Sequence, residues 1–203
     1  IFSDDEINKA ISNRLVSLIW DDLGREQLNT LLDGLSSTAF SEENLRKVLD
    51  FNPALEDWRV GEALAEAYLV DHRKCEFPWP GGRDLKNSSA SPAGTDLVGF
   101  QRKNSGYRFA FGEVKTSPQE KWPPSLMQGR HGLAEQLEML RDSAYVRNQL
   151  VAYLGHHAGR SDWESNYKDA TARYLNDPSD FSLFGILVRD VEPKGLDLAA
   201  RAK

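Results

Sequence analysis

The sequence is poor in the residues that build disulfides and metal clusters. It has one cysteine, Cys75, and four histidines, His72, His131, His156 and His157, in 203 residues. A lone cysteine makes no internal disulfide and no multi-cysteine zinc site. No pair of the histidines has a ligand spacing with an acid in register, which argues against a zinc centre. No stretch approaches the ~18 apolar residues of a membrane span, and no basic-then-apolar leader opens the chain. A cytoplasmic protein with no membrane role is the expectation. The chain begins at Ile1 rather than Met and stops on Ala-Arg-Ala-Lys, which leaves open that it is a piece of a longer polypeptide.

Hydrophobic content is 40% and charged content 28%, the balance of a globular protein. The net charge of −6 argues against a nucleic-acid partner when taken alone. Its distribution argues the other way. Residues 73–130 hold ten Lys/Arg against five Asp/Glu, +5 locally, leaving −11 for the rest. A basic middle in an acidic chain is what a phosphate-binding surface looks like; chance clustering on a solvated face is the other reading.

Helical periodicity dominates the start. Ile7, Ile11, Leu15 and Leu18 recur at helical spacing, as do Leu28, Leu31, Leu32 and Leu35. Ser41 offers an N-cap for a third helix, and Asn52-Pro53 ends it. These patterns predict an acidic helical lobe over 1–53, suited to docking a protein partner, ahead of a main domain over 54–203. A further helix is expected over 56–70. Residues 71–94 read as irregular, with a short strand near 83–86. Two strands, 95–101 and 107–114, are joined by Asn104-Ser105-Gly106, which has hairpin-turn chemistry. Helical patterns then cover 129–157 and 162–175. The apolar run 182–188 reads as a buried strand. This order predicts a mixed α/β domain around a small central sheet.

Three features carry chemistry. Asp96 opens an apolar strand in Gly94-Thr95-Asp96-Leu97-Val98. Glu113 and Lys115 close the next in Phe111-Gly112-Glu113-Val114-Lys115-Thr116. Glu62 lies early in the preceding helix, in Gly61-Glu62-Ala63-Leu64-Ala65. Strand alternation points Glu113 and Lys115 the same way and Val114 into the core. In a hairpin the start of the first strand lies beside the end of the second, so Asp96 and Glu113 can meet. Two close carboxylates repel unless a cation lies between them. Mg²⁺ suits that place, since it takes few carboxylates and keeps waters. Lys115 could orient or deprotonate a water and stabilise charge on phosphorus. The plain alternative for Glu62 is a solvent face, because Glu62 and Glu66 lie opposite Val60, Leu64 and Tyr68 on the helical wheel.

The run Asp96…Glu113-Val114-Lys115 resembles the PD-(D/E)xK motif of restriction-endonuclease-like nucleases. Gly61-Glu62-x-Leu-Ala is similar to the helix motif that precedes it in many members. The resemblance implies a restriction-endonuclease-like core. It implies that Asp96, Glu113 and Glu62 bind Mg²⁺, with Mn²⁺ substituting, and that Lys115 assists the attacking water. Thr95 departs from the family's usual proline before the acid. Members with RecB-like features carry a glutamine in the next helix, and in this chain that role falls to Gln136; Gln149-x-x-x-Tyr153 also fits a Q-x-x-x-Y pattern. Arg130 and Lys121 are candidate substrate contacts, and Trp79 and Trp122 could stack on bases. The implied activity is hydrolysis of phosphodiester bonds in DNA, with double-stranded DNA as partner and bacterial antiviral defence or restriction as a setting. The alternative is an inactive nuclease-like fold that binds DNA or protein.

Overall fold

In the computed structural model the described residues are 3–49, 55–84, 94–103 and 106–199. They form an α/β structure with one four-stranded mixed sheet flanked by helices. The helices are α1 (Asp4–Ala10), α2 (Val16–Trp20), α3 (Asp22–Leu32), α4 (Ala39–Leu49), α5 (Asp57–Arg73), α6 (Leu133–Asp142), α7 (Ala144–Ala158) and α8 (Glu164–Asn176). The strands are β1 (Cys75–Glu76), β2 (Leu97–Lys103), β3 (Gly106–Ser117) and β4 (Phe181–Arg189). Strand order is β1-β2-β3-β4. The first three are antiparallel and β4 lies parallel to β3.

Side-chain alternation divides the core between the two faces of the sheet. Val98, Phe100, Phe109 and Phe111 pack with Leu140, Leu150, Leu154, Ala170 and Tyr174 from α6 to α8. Leu97, Ala110 and Val114 pack with Ala65 and Leu69 of α5 and with Cys75 and Phe77. Val114 thus enters the core as its place in β3 predicts. A Cβ at Gly61 would lie 1.9 Å from Thr116 Oγ1. Only a residue without a side chain lets α5 lie this close to β3, and that approach sets the position of Glu62.

Several expectations are corrected. The predicted helix over 129–157 is two helices, because Ser143 caps α7, its hydroxyl accepting from Val146 N at 3.3 Å. Of the strand expected near 83–86, Arg83 and Asp84 lie instead in a 3-10 turn, Gly81–Asp84, and residues 85–86 fall outside the described residues; a short strand is Cys75–Glu76, paired with β2. The third helix begins at Ala39 rather than after Ser41. Thr38 Oγ1 accepts from Ser41 N at 3.2 Å, and the Ser41 hydroxyl donates back to Thr38 O at 2.8 Å. The run 182–188 is a strand, but an edge one, half-buried with Gly185 exposed. Asn52-Pro53, most of the hairpin turn and residues 87–93 lie outside the described residues.

The first helices meet α5. The segment from α1 to α2, which includes a π-helical stretch at Ile11–Leu15, packs along α5. Arg14 pairs with Asp71 at 2.8 Å. Asp21, in the left-handed region at φ 48°, caps α3 through Gly24 N and takes both arms of Arg83 at 2.7 Å each. Among the described residues no helix is long and apolar enough to cross a membrane.

Candidate active site

The β2–β3 register pairs Leu97 with Gly112. The preceding Asp96 therefore stands beside Glu113. Asp96 Oδ2 accepts from Val114 N at 2.7 Å, tying this acid to the backbone of β3. Glu113 is 2% exposed and both its oxygens are engaged. Lys115 Nζ donates to Oε1 at 2.7 Å, and Thr95 Oγ1 approaches Oε2 at 3.3 Å while bonding Gly112 O at 2.8 Å. Lys115 Nζ also donates to Gln136 Oε1 on α6 at 3.2 Å. The ammonium is held between two acceptors from different elements. Gly185 pairs with Glu113 across β3–β4, and a Cβ there would lie 2.4 Å from Leu137 Cδ1. The bare position lets α6 settle on β4 with Gln136 toward Lys115.

Glu62 enters from α5. It is half-buried and lines a cleft of about 90 Å³ with Asp96, Glu66, Arg59, Asp21 and Trp79. The solvent-face reading of Glu62 and Glu66 is thereby corrected: α2 and the 77–81 loop wall in this side of the helix. Burial is the main cause that raises Glu62 from 4.5 to about 8, and the negative charge of Asp96 adds to it; Arg59 opposes, and Glu113 and Glu66 raise it further. Asp96 rises from 3.8 to about 6 through burial and then Glu113, against the Val114 bond and Lys115. Burial also lifts Glu66 to about 7, opposed by Arg14.

Asp96, Glu113, Lys115 and Gln136 thus come together, and Glu62 lines the same cleft as Asp96. Lys121 and Arg130 do not join them. Lys121 donates to Ser125 Oγ at 3.3 Å, and Arg130 is exposed in the turn before α6. Trp79 is already stacked, its ring 3.9 Å from that of His157 with Arg83 over it at 5.0 Å. Trp122 lies under Lys194 at 3.5 Å. Tyr153 donates to Asp84 Oδ2 at 2.5 Å, at the rim beside Trp79.

The sequence reading missed Arg59 and Thr95. Arg59 lies three residues before Glu62, hence on the same helix face, and that spacing was the one signal for it. Thr95 stood out only as a departure from proline; its hydroxyl bonds Gly112 O beside Glu113, which a proline cannot do.

Among the described residues no three His, Cys, Asp or Glu converge as a ready-made metal-binding set. The donors nonetheless fit a hard cation. Asp96 and Glu62 are carboxylates raised by burial and by neighbouring negative charge, the condition that an oxygen-seeking divalent ion relieves. No family model, curated protein or solved structure matches the chain.

Proposed function

We propose that the chain is a Mg²⁺-dependent phosphodiesterase of the PD-(D/E)xK kind, with a restriction-endonuclease-like core and DNA as its substrate. One observation carries this reading. Asp96, Glu113 and Glu62, from three elements, interact electrostatically at the end of a hairpin where Lys115 bridges Glu113 and Gln136. Burial and neighbouring negative charge raise Asp96 and Glu62, so solvation alone gives no reason to set these two acids in one cleft.

Asp96 and Glu113, with Glu62, would hold the ion. When bound, Mg²⁺ polarises a phosphoryl oxygen and lowers the pKa of water. The chain's own groups do the rest. Val114 N fixes the Asp96 carboxylate, and Lys115 Nζ donates to that of Glu113. Gln136 Oε1 and Glu113 Oε1 hold the Lys115 ammonium in place, where it orients a water and offsets charge growing on phosphorus. Arg59, one turn before Glu62 on α5, adds a second positive charge to the cleft lining.

The engagement of both Glu113 oxygens inside the protein favours a second reading, a nuclease-like fold used for binding alone. Incubating wild type and Asp96→Asn with duplex DNA in Mg²⁺ or EDTA separates the two. Cleavage confined to wild type in Mg²⁺ supports the enzyme; intact DNA in every lane, Mn²⁺ included, leaves only the binding fold.

A further inference from the structure

Of the nine described basic residues between 73 and 130, five have partners or stand apart. Arg83 pairs with Asp21, Arg108 with Asp180 and Lys115 with Glu113. Four gather at the far end of the sheet from the acids. Arg73 and Lys74 end α5, and Arg102 and Lys103 end β2; all four are exposed. Two hydrogen bonds join the pairs. Arg102 N donates to Lys74 O at 2.9 Å, and Gln101 Nε2 donates to Arg73 O at 2.8 Å. Lys74, Arg102 and Lys103 line a groove of about 500 Å³, far roomier than the acid cleft.

The nearby acids are taken up elsewhere. Glu76 accepts from Tyr107 Oη at 3.1 Å and Asn166 Nδ2 at 3.0 Å, and Asp71 pairs with Arg14. Among the described residues no carboxylate forms an ion pair with the four cations. The negative end of the α5 dipole accounts for Arg73 and Lys74; it does not account for Arg102 and Lys103, which come from another element.

We infer that this groove holds the phosphate backbone of the DNA duplex at a second point, away from the acids. The identity of the duplex as substrate rests on the nuclease reading. The spacing follows from two rulers. From Glu62 to Lys74 along α5 is about 18 Å at the helical rise. The six steps of β2 from Leu97, next to Asp96, to Lys103 span roughly 20 Å at about 3.3 Å each. At about 3.4 Å per base pair, a duplex engaging both points must reach across about six base pairs.

The test uses a variant combining Arg73→Gln, Lys74→Asn, Arg102→Gln and Lys103→Gln. Asparagine is chosen at Lys74 because that residue adopts φ 57°, which asparagine tolerates. Binding of a duplex of about 20 base pairs is followed by fluorescence anisotropy in Ca²⁺ over roughly 50–200 mM salt, the range in which phosphate contacts are read. The slope of log K against log salt should become shallower by about 3 to 4, at about 0.9 per lost contact. A charge-keeping variant, Arg73→Lys, Lys74→Arg, Arg102→Lys and Lys103→Arg, should restore the wild-type slope. Cleavage in Mg²⁺ should slow on the long duplex and stay unchanged on a hairpin whose stem of about four base pairs cannot reach the groove. Equal slopes for wild type and the neutral variant overturn the inference, as does failure of the charge-keeping variant to restore the slope. If no DNA is cut by any form, the nuclease reading fails, while the slopes still decide whether the groove binds duplex.

Discussion

Glu62 and Glu66 lie one turn apart on α5 and both face the cleft, yet their neighbours differ. Glu62 feels Asp96 and Glu113; Glu66 feels Arg14 and Asp21. Glu62→Gln should therefore lower turnover well beyond Glu66→Gln, with helix propensity nearly constant in both. Steady-state cleavage by the two variants gives the order directly, and the reverse order would move the site acid to Glu66. Arg59→Met removes the positive charge that acts on Glu62 from one turn away. It should slow cleavage by roughly 10- to 1,000-fold, the scale of one lost charge-stabilising group, and an unchanged rate would remove Arg59 from the reaction. Asp96, Glu113 and Lys115 were legible because strand alternation and a hairpin are enough to bring them together. Gln136 was legible only through a family resemblance, since nothing in its own helix pattern marks it. Thr95 and Arg59 owe their importance to what the fold sets against them.

At the scale of elements, α5 is the piece whose placement matters most. Its contact with β3 depends on Gly61, where a methyl would overlap Thr116 Oγ1. Gly61→Ala should cost about 1–3 kcal/mol, the usual range for overpacking, read as a lower urea midpoint at unchanged slope. Activity should fall further than the lost stability explains, because Glu62 rides on the displaced helix. A midpoint equal to or above wild type would show that Thr116 moves aside freely. The hairpin of β2 and β3 was legible from alternation between turn signals. The two-residue β1 was not, because its partner in β2 is remote in sequence and no local pattern marks it. The break between α6 and α7 was hidden for another reason. Apolar residues continue across it, and a single serine cap at Ser143 makes the difference. The cover over Glu62 was not legible, because its walls come from α2 and the 77–81 loop, which no helical wheel contains.

For the whole molecule, the raised acids tie stability to pH. Glu62, Glu66 and Asp96 reach about 8, about 7 and about 6 when folded, against ordinary values of 4.5, 4.5 and 3.8. Between those limits the folded protein keeps protons that the unfolded chain has released, so stability falls as pH rises. The acids held below their ordinary range, Glu6, Asp142, Glu164 and Asp177, lie at the surface and act at lower pH. Without divalent metal, the melting temperature should decline across pH 5 to 8. Mg²⁺ should offset the part owed to Glu62 and Asp96, and Glu66→Gln should flatten the curve with or without the ion. A melting temperature that climbs through this window would contradict the assigned shifts.

The nuclease reading stands or falls at Lys115, which sits between Glu113 and Gln136 and whose charge can be removed while the carboxylates stay. The measurement is single-turnover cleavage of duplex DNA in Mg²⁺ by wild type and Lys115→Met, beside a binding titration of each in Ca²⁺. Cleavage by the variant should be slower by at least ~100-fold. Its binding should be only modestly weaker, since other basic residues carry the phosphate attraction. Equal cleavage rates for the two proteins would take Lys115 out of the chemistry, and the nuclease reading with it.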